Sequence, residues 1–284
     1  MSTYVDDEYG EPDEVCSLCP LPWRDAVLVG TEEGRVLLYD VASGRLLHVF
    51  RGWNSHVFAL AATPGDGGAG SARFAAGGLW DSAISVIDVA RRETVATLAL
   101  PSASSFAAFA GSGSTLVAGG ESGWLRGWSL ATQSVVASAE SGSMVTCGAL
   151  CDNERVLATG HGDGRVRTWL VESLWPLLEF SLGTLRYGVS GLCAWGDSRI
   201  ATVDEQTLRV WELATGRCLA FADGLYEGRT CSVGLASSLL VCSRMDEDAR
   251  MYTMGWQRRR AAVVAWVAVR AGLAVGGGDG VCEA

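Results

Sequence analysis

The sequence predicts an all-β protein made of repeated four-stranded antiparallel sheets, and two observations lead to this fold class. First, one pattern recurs: a short apolar run, a turn of small residues, and an alternating run that ends on a large side chain, most clearly in RVLATGHGDGRVRTWL from Arg155 to Leu170. Second, the residues that close the alternating run follow one another at intervals of 48, 41, 41, 42 and 41 positions: Tyr39, Ile87, Trp128, Trp169, Trp211 and Tyr252. Repeats of about 40 to 45 residues are typical of arrays with one four-stranded sheet per repeat.

The period and its closing residues resemble the WD-repeat β-propeller family, and the resemblance covers nearly the whole chain. In that family each third strand closes on a Trp-Asp pair; the corresponding pairs here are Tyr39-Asp40, Ile87-Asp88, Trp128-Ser129, Trp169-Leu170, Trp211-Glu212 and Tyr252-Thr253. The resemblance implies a seven-bladed β-propeller of four-stranded antiparallel sheets that spans residues 1–284 as a single domain. This fold hosts many unrelated functions, so function has to be argued from a site.

Each blade is expected to contribute four strands, a to d, counted outward from the central axis. In the first repeat these strands are predicted at Val15–Leu18, Ala26–Gly30, Val36–Asp40 and Leu46–Phe50. In the sixth they are predicted at Cys231–Leu235, Leu239–Cys242, Ala249–Tyr252 and Trp256–Arg259. The apolar runs of strand b lack alternation, which is typical of strands covered on both faces. The second repeat is the longest, and its surplus residues Pro64–Ser71 (PGDGGAGS) predict a flexible surface loop.

The last blade is predicted to be short. Its first two strands would be Ala262–Ala268 and Leu273–Gly277, and Gly280–Ala284 would begin a third. Members of the family commonly complete such a blade with the N-terminal strand, so the resemblance implies that Ser2–Val5 closes it as strand d. The β-prone residues of Ser2–Val5 fit that role.

Composition and charge exclude several classes of partner. The formal net charge is −10, from 22 Lys and Arg against 32 Asp and Glu, and this field repels nucleic-acid phosphates and anionic membranes. The acidic N-terminus is unlike a secretory or transit peptide, and the longest apolar stretch, Ala261–Val269, covers about half a bilayer span. Nine cysteines, mostly within apolar runs, indicate packing residues in a reducing compartment. We expect a cytoplasmic protein, with the nucleus as the alternative, and no nucleic-acid or membrane partner.

No constellation in the sequence supports catalysis or metal binding. The chain has only three histidines, which is few for acid–base catalysis, and their spacing in the sequence does not match that of metal ligands. Cys16-x-x-Cys19 and Cys147-x-x-x-Cys151 look like zinc half-sites, but they fall on strand a of blades one and four, so we interpret them as packing cysteines. The loop Gly160–Gly164 lacks the Lys-Ser/Thr pair and the following helix of a phosphate-binding loop. We predict no enzyme, cofactor or metal; a propeller enzyme with its site in the central channel is the alternative.

The resemblance also implies a buried hydrogen-bond network in each blade. It joins a His before strand a, a Ser or Thr on strand b, the strand-c Trp and a turn Asp. The fourth repeat supplies Thr159, Asp163 and Trp169, with no His ahead of its strand a. We therefore expect only a partial network there.

Protein binding is the function that the remaining residues favour. Family members commonly bind partners on the rim built from the d–a loops and b–c turns, and interfaces favour Trp, Tyr and Arg. The residues expected on that rim are Trp53, Asn54, Trp80, Trp124, Arg186, Tyr187, Tyr226, Arg229, Arg244 and Met245. We predict a non-catalytic scaffold or adaptor, monomeric within a larger complex, that binds proteins or peptides, with basic ones favoured by the acidic balance. A ubiquitin-ligase substrate receptor is a further alternative, although Trp211-Glu212-Leu213-Ala214 lacks the arginine of the family's docking motif.

Overall fold

A computed structural model describes residues 4–6, 12–21, 23–63, 72–111, 113–182, 188–204, 207–222, 229–236, 239–245, 251–259 and 262–268, with side chains from residue 15 to residue 221. Within these ranges the chain forms 25 strands and no helix. The predicted loop at Pro64–Ser71 lies outside the described residues. The fold class is therefore all-β, as predicted.

The strands form six antiparallel sheets in which neighbours in the sheet are neighbours in the chain. Sheet 1 contains β1 (Tyr4–Asp6), β2 (Pro12–Leu21), β3 (Ala26–Thr31), β4 (Arg35–Asp40) and β5 (Leu46–Arg51). Sheet 2 contains β6 (Val57–Ala62), β7 (Arg73–Gly78), β8 (Ala83–Asp88) and β9 (Glu93–Ala99). Sheet 3 contains β10 (Ser104–Ala110), β11 (Thr115–Gly120), β12 (Trp124–Ser129) and β13 (Ser134–Glu140).

The remaining three sheets have four strands each. Sheet 4 contains β14 (Val145–Cys151), β15 (Val156–His161), β16 (Arg165–Leu170) and β17 (Trp175–Ser181). Sheet 5 contains β18 (Gly191–Ala194), β19 (Arg199–Val203), β20 (Leu208–Glu212) and β21 (Cys218–Ala222). Sheet 6 contains β22 (Arg229–Ala236), β23 (Leu239–Met245), β24 (Met251–Arg259) and β25 (Ala262–Ala268).

The chain divides into two compact units, each with its own apolar core. Unit 1 comprises residues 1–145 and 171–175, and unit 2 comprises residues 146–170 and 176–284. In unit 1, Leu28, Val36 and Phe74 belong to one buried cluster. In unit 2, Val166 and Ile200 belong to another. That residues 1–284 form one domain stays a prediction.

With the strands of sheet 1 counted from β2, the second strand is the most deeply buried in sheets 1 to 5. The strands β3, β7, β11, β15 and β19 each bury all but one of their residues. The fourth strands β9, β13 and β17 expose most of theirs. Apolar runs without alternation therefore mark strands covered on both faces, as the sequence pattern predicted.

The pairing register identifies the position that closes each third strand. That residue pairs with the second residue of the second strand in every sheet from 1 to 5: Tyr39 with Val27, Ile87 with Phe74, Trp128 with Leu116, Trp169 with Leu157 and Trp211 with Ile200. In sheet 6 this position is filled by Trp256, which pairs with Leu240. Tyr252 pairs instead with Arg244, so the prediction of Tyr252 as the sixth closing residue is wrong.

The reason for this error is a longer hairpin. From Leu240 to its partner Trp256 the chain advances 16 positions, against 12 from Leu157 to Trp169 in sheet 4. The four extra positions move the closing residue from 252 to 256. Two further strand assignments change as a consequence: the predicted strand Trp256–Arg259 is part of β24, and Ala262–Ala268 is the fourth strand of sheet 6 rather than the first of a seventh blade. Leu273–Gly277 and Gly280–Ala284 lie outside the described residues.

The N-terminal strand also differs from its expected position. We expected Ser2–Val5 to close the last blade, but β1 forms a hairpin with β2 at the edge of sheet 1, with Tyr4 opposite Glu14 and Asp6 opposite Pro12. Pairing between segments so close in the chain costs little loop-closure entropy, whereas pairing with the far end of the chain costs more. Sheet 1 consequently has five strands.

The turn between β14 and β15 holds three consecutive residues with positive φ. These are Asp152 (48°), Asn153 (49°) and Glu154 (65°). The Arg155 backbone N–H donates to the Asp152 carbonyl over 3.0 Å, so Asn153 and Glu154 are the central residues of a tight hairpin turn. A glutamate in this left-handed conformation is strained, because its Cβ crowds the following carbonyl.

Replacing Glu154 with glycine is expected to raise the free energy of unfolding by about 0.5–1 kcal/mol, since relief of the left-handed strain outweighs the extra chain entropy of glycine. Urea denaturation monitored by tryptophan fluorescence measures this change. The control is Glu172→Gly, in the exposed turn before β17, where φ is not positive. It should lower the stability slightly, and a loss of stability in both variants would contradict the turn assignment.

Candidate functional site

The turn between the second and third strands is longer in sheet 2 than in its neighbours. In sheets 1, 3 and 4 three residues separate these strands, and the third donates its N–H to the last residue of the second strand, as Gly123 does to the Gly120 carbonyl over 3.0 Å. In sheet 2 four residues, Leu79 to Ser82, occupy the turn. The same bond runs from Asp81 to Gly78 over 3.3 Å, and one extra residue follows before β8 begins. This longer turn carries Trp80, which is 74% exposed.

Hydrogen bonds on both sides hold the Trp80 turn in place. The Trp80 backbone N–H donates to Ser55 Oγ over 3.1 Å, and the Leu79 N–H donates to the His56 carbonyl over 3.0 Å. Within the turn, the Gly78 N–H donates to Asp81 Oδ2 over 3.1 Å. The backbone under the indole is therefore fixed, while the indole itself remains in solvent.

The loop from β5 to β6 forms the other half of this surface. Asn54 donates from its backbone N–H and from Nδ2 to Asp81 Oδ1, over 3.2 and 2.9 Å. Asp81 thus connects the loop to the turn through both carboxylate oxygens. Asn54, predicted as a partner-binding residue, is exposed, but its amide group is occupied by this contact.

A histidine–carboxylate pair borders the same loop. His56 Nε2 lies 2.7 Å from Glu32 Oε1, and the His56 ring stacks on Phe58 with ring centroids 5.7 Å apart. His56 Nδ1 is buried and has no hydrogen-bond partner among the described residues. We call Glu32, Asn54, His56, Trp80 and Asp81 the Trp80 surface.

The Trp80 surface combines an exposed indole with carboxylates. The charge of the neighbouring Glu33 is offset by Arg35 at 2.6 Å, whereas Asp81 accepts hydrogen bonds from the uncharged groups of Asn54 and Gly78, and Glu32 lies beside His56. An aromatic face attracts a cation through its quadrupole, and nearby carboxylates add to that attraction. The chemistry of this surface therefore suits a lysine or arginine side chain of a partner.

Two of the predicted rim tryptophans are core residues. Trp53 is 9% exposed and its Nε1–H donates to the Ala76 carbonyl over 3.0 Å. Trp124 is 1% exposed, donates to Ser102 Oγ over 2.9 Å, and packs edge-on against Trp128 with ring centroids 6.4 Å apart. We predicted that Trp53 and Trp124 would contact a partner from the rim. Because both side chains are buried, this prediction is wrong.

The other predicted rim residues contribute no described side chain to this surface. Arg186, Tyr187 and Tyr226 lie outside the described residues. Arg229, Arg244 and Met245 lie in β22 and β23 rather than in loops, and the structure describes only their backbone. Sequence reasoning missed Glu32, His56 and Asp81 as neighbours of Trp80. The four-residue turn was a usable signal, since it departs from the three-residue turns beside it.

The buried network of sheet 4 is more complete than the sequence suggested. Thr159 Oγ1 accepts a hydrogen bond from Trp169 Nε1 over 2.8 Å and lies 2.8 Å from His161 Nε2. The histidine comes from the end of β15 instead of from the loop before β14, and it is fully buried. Asp163 binds Arg167 through a 2.8 Å ion pair. Partial burial works to raise the pKa of Asp163, but the hydrogen bonds from Arg167 and the Arg165 N–H outweigh it and lower the pKa.

Two cysteines of unit 2, Cys147 and Cys193, have weakly acidic thiols. Burial raises the pKa of Cys147 to about 11 and that of Cys193 to about 12. These thiols remain protonated at neutral pH, and the thiolate is the form that attacks electrophiles or binds metals. No group of three His, Cys, Asp or Glu side chains suited to a metal occurs in the described part of the chain.

Comparisons with protein-family models and with curated proteins found no match to this chain. Among the described residues there is no helix long and apolar enough to cross a membrane.

Proposed function

We propose that this protein is a non-catalytic interaction scaffold that binds a basic segment of a partner protein on the Trp80 surface. The observation that carries the proposal is the exposure of Trp80 on a turn whose backbone is fixed by Ser55 and His56. Because the backbone of this turn is already fixed, a partner that covers the indole has to order only the side-chain torsions of Trp80. Tryptophan is also among the residue types most enriched in binding hot spots.

The charge around Trp80 supports a basic partner. Asp81 follows Trp80 in the turn, Glu32 contacts His56 beside that turn, and the whole chain carries a net charge of −10. A positively charged segment would be attracted over distance and then held by the indole face and the carboxylates. An acidic segment would be repelled at both stages.

We further propose that the sheets are blades of a WD-repeat-like β-propeller. In such a fold the array of sheets would act as the scaffold and present its turns to partners. The constant closing position of the third strands, the chain-ordered pairing and the buried second strands support this fold.

Trp80→Ala is expected to reduce partner capture at least about tenfold, because a tryptophan hot spot contributes about 2 kcal/mol or more. Capture is measured by quantitative mass spectrometry after affinity purification from the native cell. Since the indole lies in solvent and forms no hydrogen bond with the described part of the chain, the unfolding free energy should change by less than about 0.5 kcal/mol.

Phe221→Ala is the control, because Phe221 is also aromatic and is 65% exposed but lies on the strand β21. It should leave capture unchanged. A second variant, Glu32→Gln, keeps an oxygen near His56 while removing the charge, and it should weaken capture severalfold at low salt only. Equal capture by wild-type protein and Trp80→Ala would rule out the proposed site.

A further inference from the structure

A groove in unit 2 lies between sheets 4 and 5. It has a volume of about 380 Å³. Sheet 4 contributes Val156, Leu177 and Leu178 to its lining, and the segment after β20 contributes Leu213 and Ala214. A cavity of this size is within the range of about 300–1,000 Å³ that is usual for ligand pockets.

The strand β17 gives the groove an open apolar wall. It is the last strand of sheet 4, so its outer edge has no strand partner in the described structure. Leu177 is 47% exposed and Leu178 is 36% exposed, in a strand that exposes six of its seven residues. An open strand edge with apolar side chains is a common site at which an extended peptide binds as an additional strand of the sheet.

Two unpaired carboxylates border the apolar lining. Asp152 comes from the β14–β15 turn, and Asp197 comes from the turn between β18 and β19. Neither carboxylate forms a hydrogen bond or ion pair with the described part of the chain, and no basic residue is among those that line the groove. An occupant that brings positive charge would therefore meet two free acceptors, one from each sheet.

The geometry points to an occupant with an apolar centre and basic flanks. We propose that this groove binds an extended peptide segment in which an apolar side chain, placed on Leu177, Leu178 and Leu213, is flanked by Lys or Arg residues that pair with Asp152 and Asp197. A second copy of this chain fits less well, because a protein of net charge −10 brings like charge to an acidic groove. This groove shares no residue with the Trp80 surface, and the proposal does not depend on that surface.

The test uses the full chain and three degenerate libraries of short immobilised peptides. The first has an apolar residue flanked by Lys or Arg, the second has the same centre flanked by Asp or Glu, and the third has basic flanks around serine. Wild-type protein should be retained most by the first library. Asp152→Asn combined with Asp197→Asn should lower that retention roughly five- to tenfold, as expected for the loss of two ion pairs.

A matched control separates the groove from net charge. Glu121→Gln combined with Glu140→Gln removes the same charge from exposed positions in unit 1 and should leave retention unchanged. Thermal melts verify that both double variants fold. Equal retention on the acidic library, or an equal loss in the control variant, would overturn the proposal.

Two further outcomes distinguish peptide binding in this groove from binding elsewhere and from self-association. If Trp80→Ala abolishes retention while the Asp152/Asp197 variant binds normally, the peptides occupy the Trp80 surface; the groove proposal then fails and the proposed function stands. If sedimentation shows that the wild-type chain self-associates and that Leu178→Ser prevents it, a second copy occupies the groove and the proposal is also overturned. Retention that needs Asp152 and Asp197 but not Trp80 supports the groove alone.

Discussion

Gly34→Ala is expected to lower the free energy of unfolding by about 3 kcal/mol, from two penalties that add. Gly34 has φ of 72°, where a residue with a Cβ is strained. The added Cβ would also collide with the backbone carbonyl of Trp53 and come within 3.2 Å of the Ser55 backbone nitrogen. Because both obstacles are backbone atoms, no rotation of a side chain can relieve the collision.

The control for Gly34→Ala is Gly44→Ala. Gly44 has nearly the same φ, 68°, but nothing lies within 4 Å of the position that its Cβ would take. Its expected cost is therefore the conformational penalty alone, about 1 kcal/mol. Guanidinium denaturation of both variants measures the difference, and equal costs would mean that the loop from β5 to β6 moves aside without penalty. Because Ser55 holds the Trp80 turn, Gly34→Ala should also weaken partner capture.

The second large effect is expected for Thr159→Val, which removes a buried hydroxyl and keeps the shape of the side chain. Trp169 Nε1 and His161 Nε2 would both lose their contact with Thr159 Oγ1. An unsatisfied buried polar group costs about 1–3 kcal/mol, so the expected loss in unfolding free energy is about 3 kcal/mol. Equilibrium denaturation monitored by circular dichroism provides the measurement.

Thr202→Val in sheet 5 is the matched comparison. Thr202 is as deeply buried as Thr159, and its Oγ1 accepts a 2.8 Å hydrogen bond from Trp211 Nε1, with no histidine beside it. It should cost about half as much as Thr159→Val. If the two valine variants were equally stable, His161 would gain nothing from the Thr159 hydroxyl.

The hairpins made of second and third strands could be predicted because all their determinants are local. An apolar run, a small turn and an alternating run lie within about 16 residues, as in β15 and β16, and the strand period alone indicates which residues are buried. The spacing of successive repeats was less reliable. It assumed turns of constant length, so the longer hairpin of sheet 6 displaced the assignments of Trp256–Arg259 and Ala262–Ala268.

The candidate site was harder to predict than the fold, since residue type does not give side-chain direction. Trp53 and Trp80 both lie outside strands, yet one is buried against β7 and the other is exposed. The difference depends on where the β5–β6 loop folds, which follows from contacts with Gly34 and Asp81. Similarly, His161 fills a position that the family pattern assigns to another loop, and its contact with Thr159 in the structure shows this.

The pairing of each strand with its neighbour in the chain has a consequence for synthesis on the ribosome. Every described sheet contains one continuous stretch of sequence, so a sheet can pair internally as soon as its own residues have emerged. Domains and repeats tend to fold from the N-terminus as the chain is made, and short sequence separations keep folding fast. A nascent chain halted after β13 would thus carry three sheets with complete internal pairing, and the aggregation hazard would be confined to their edge strands.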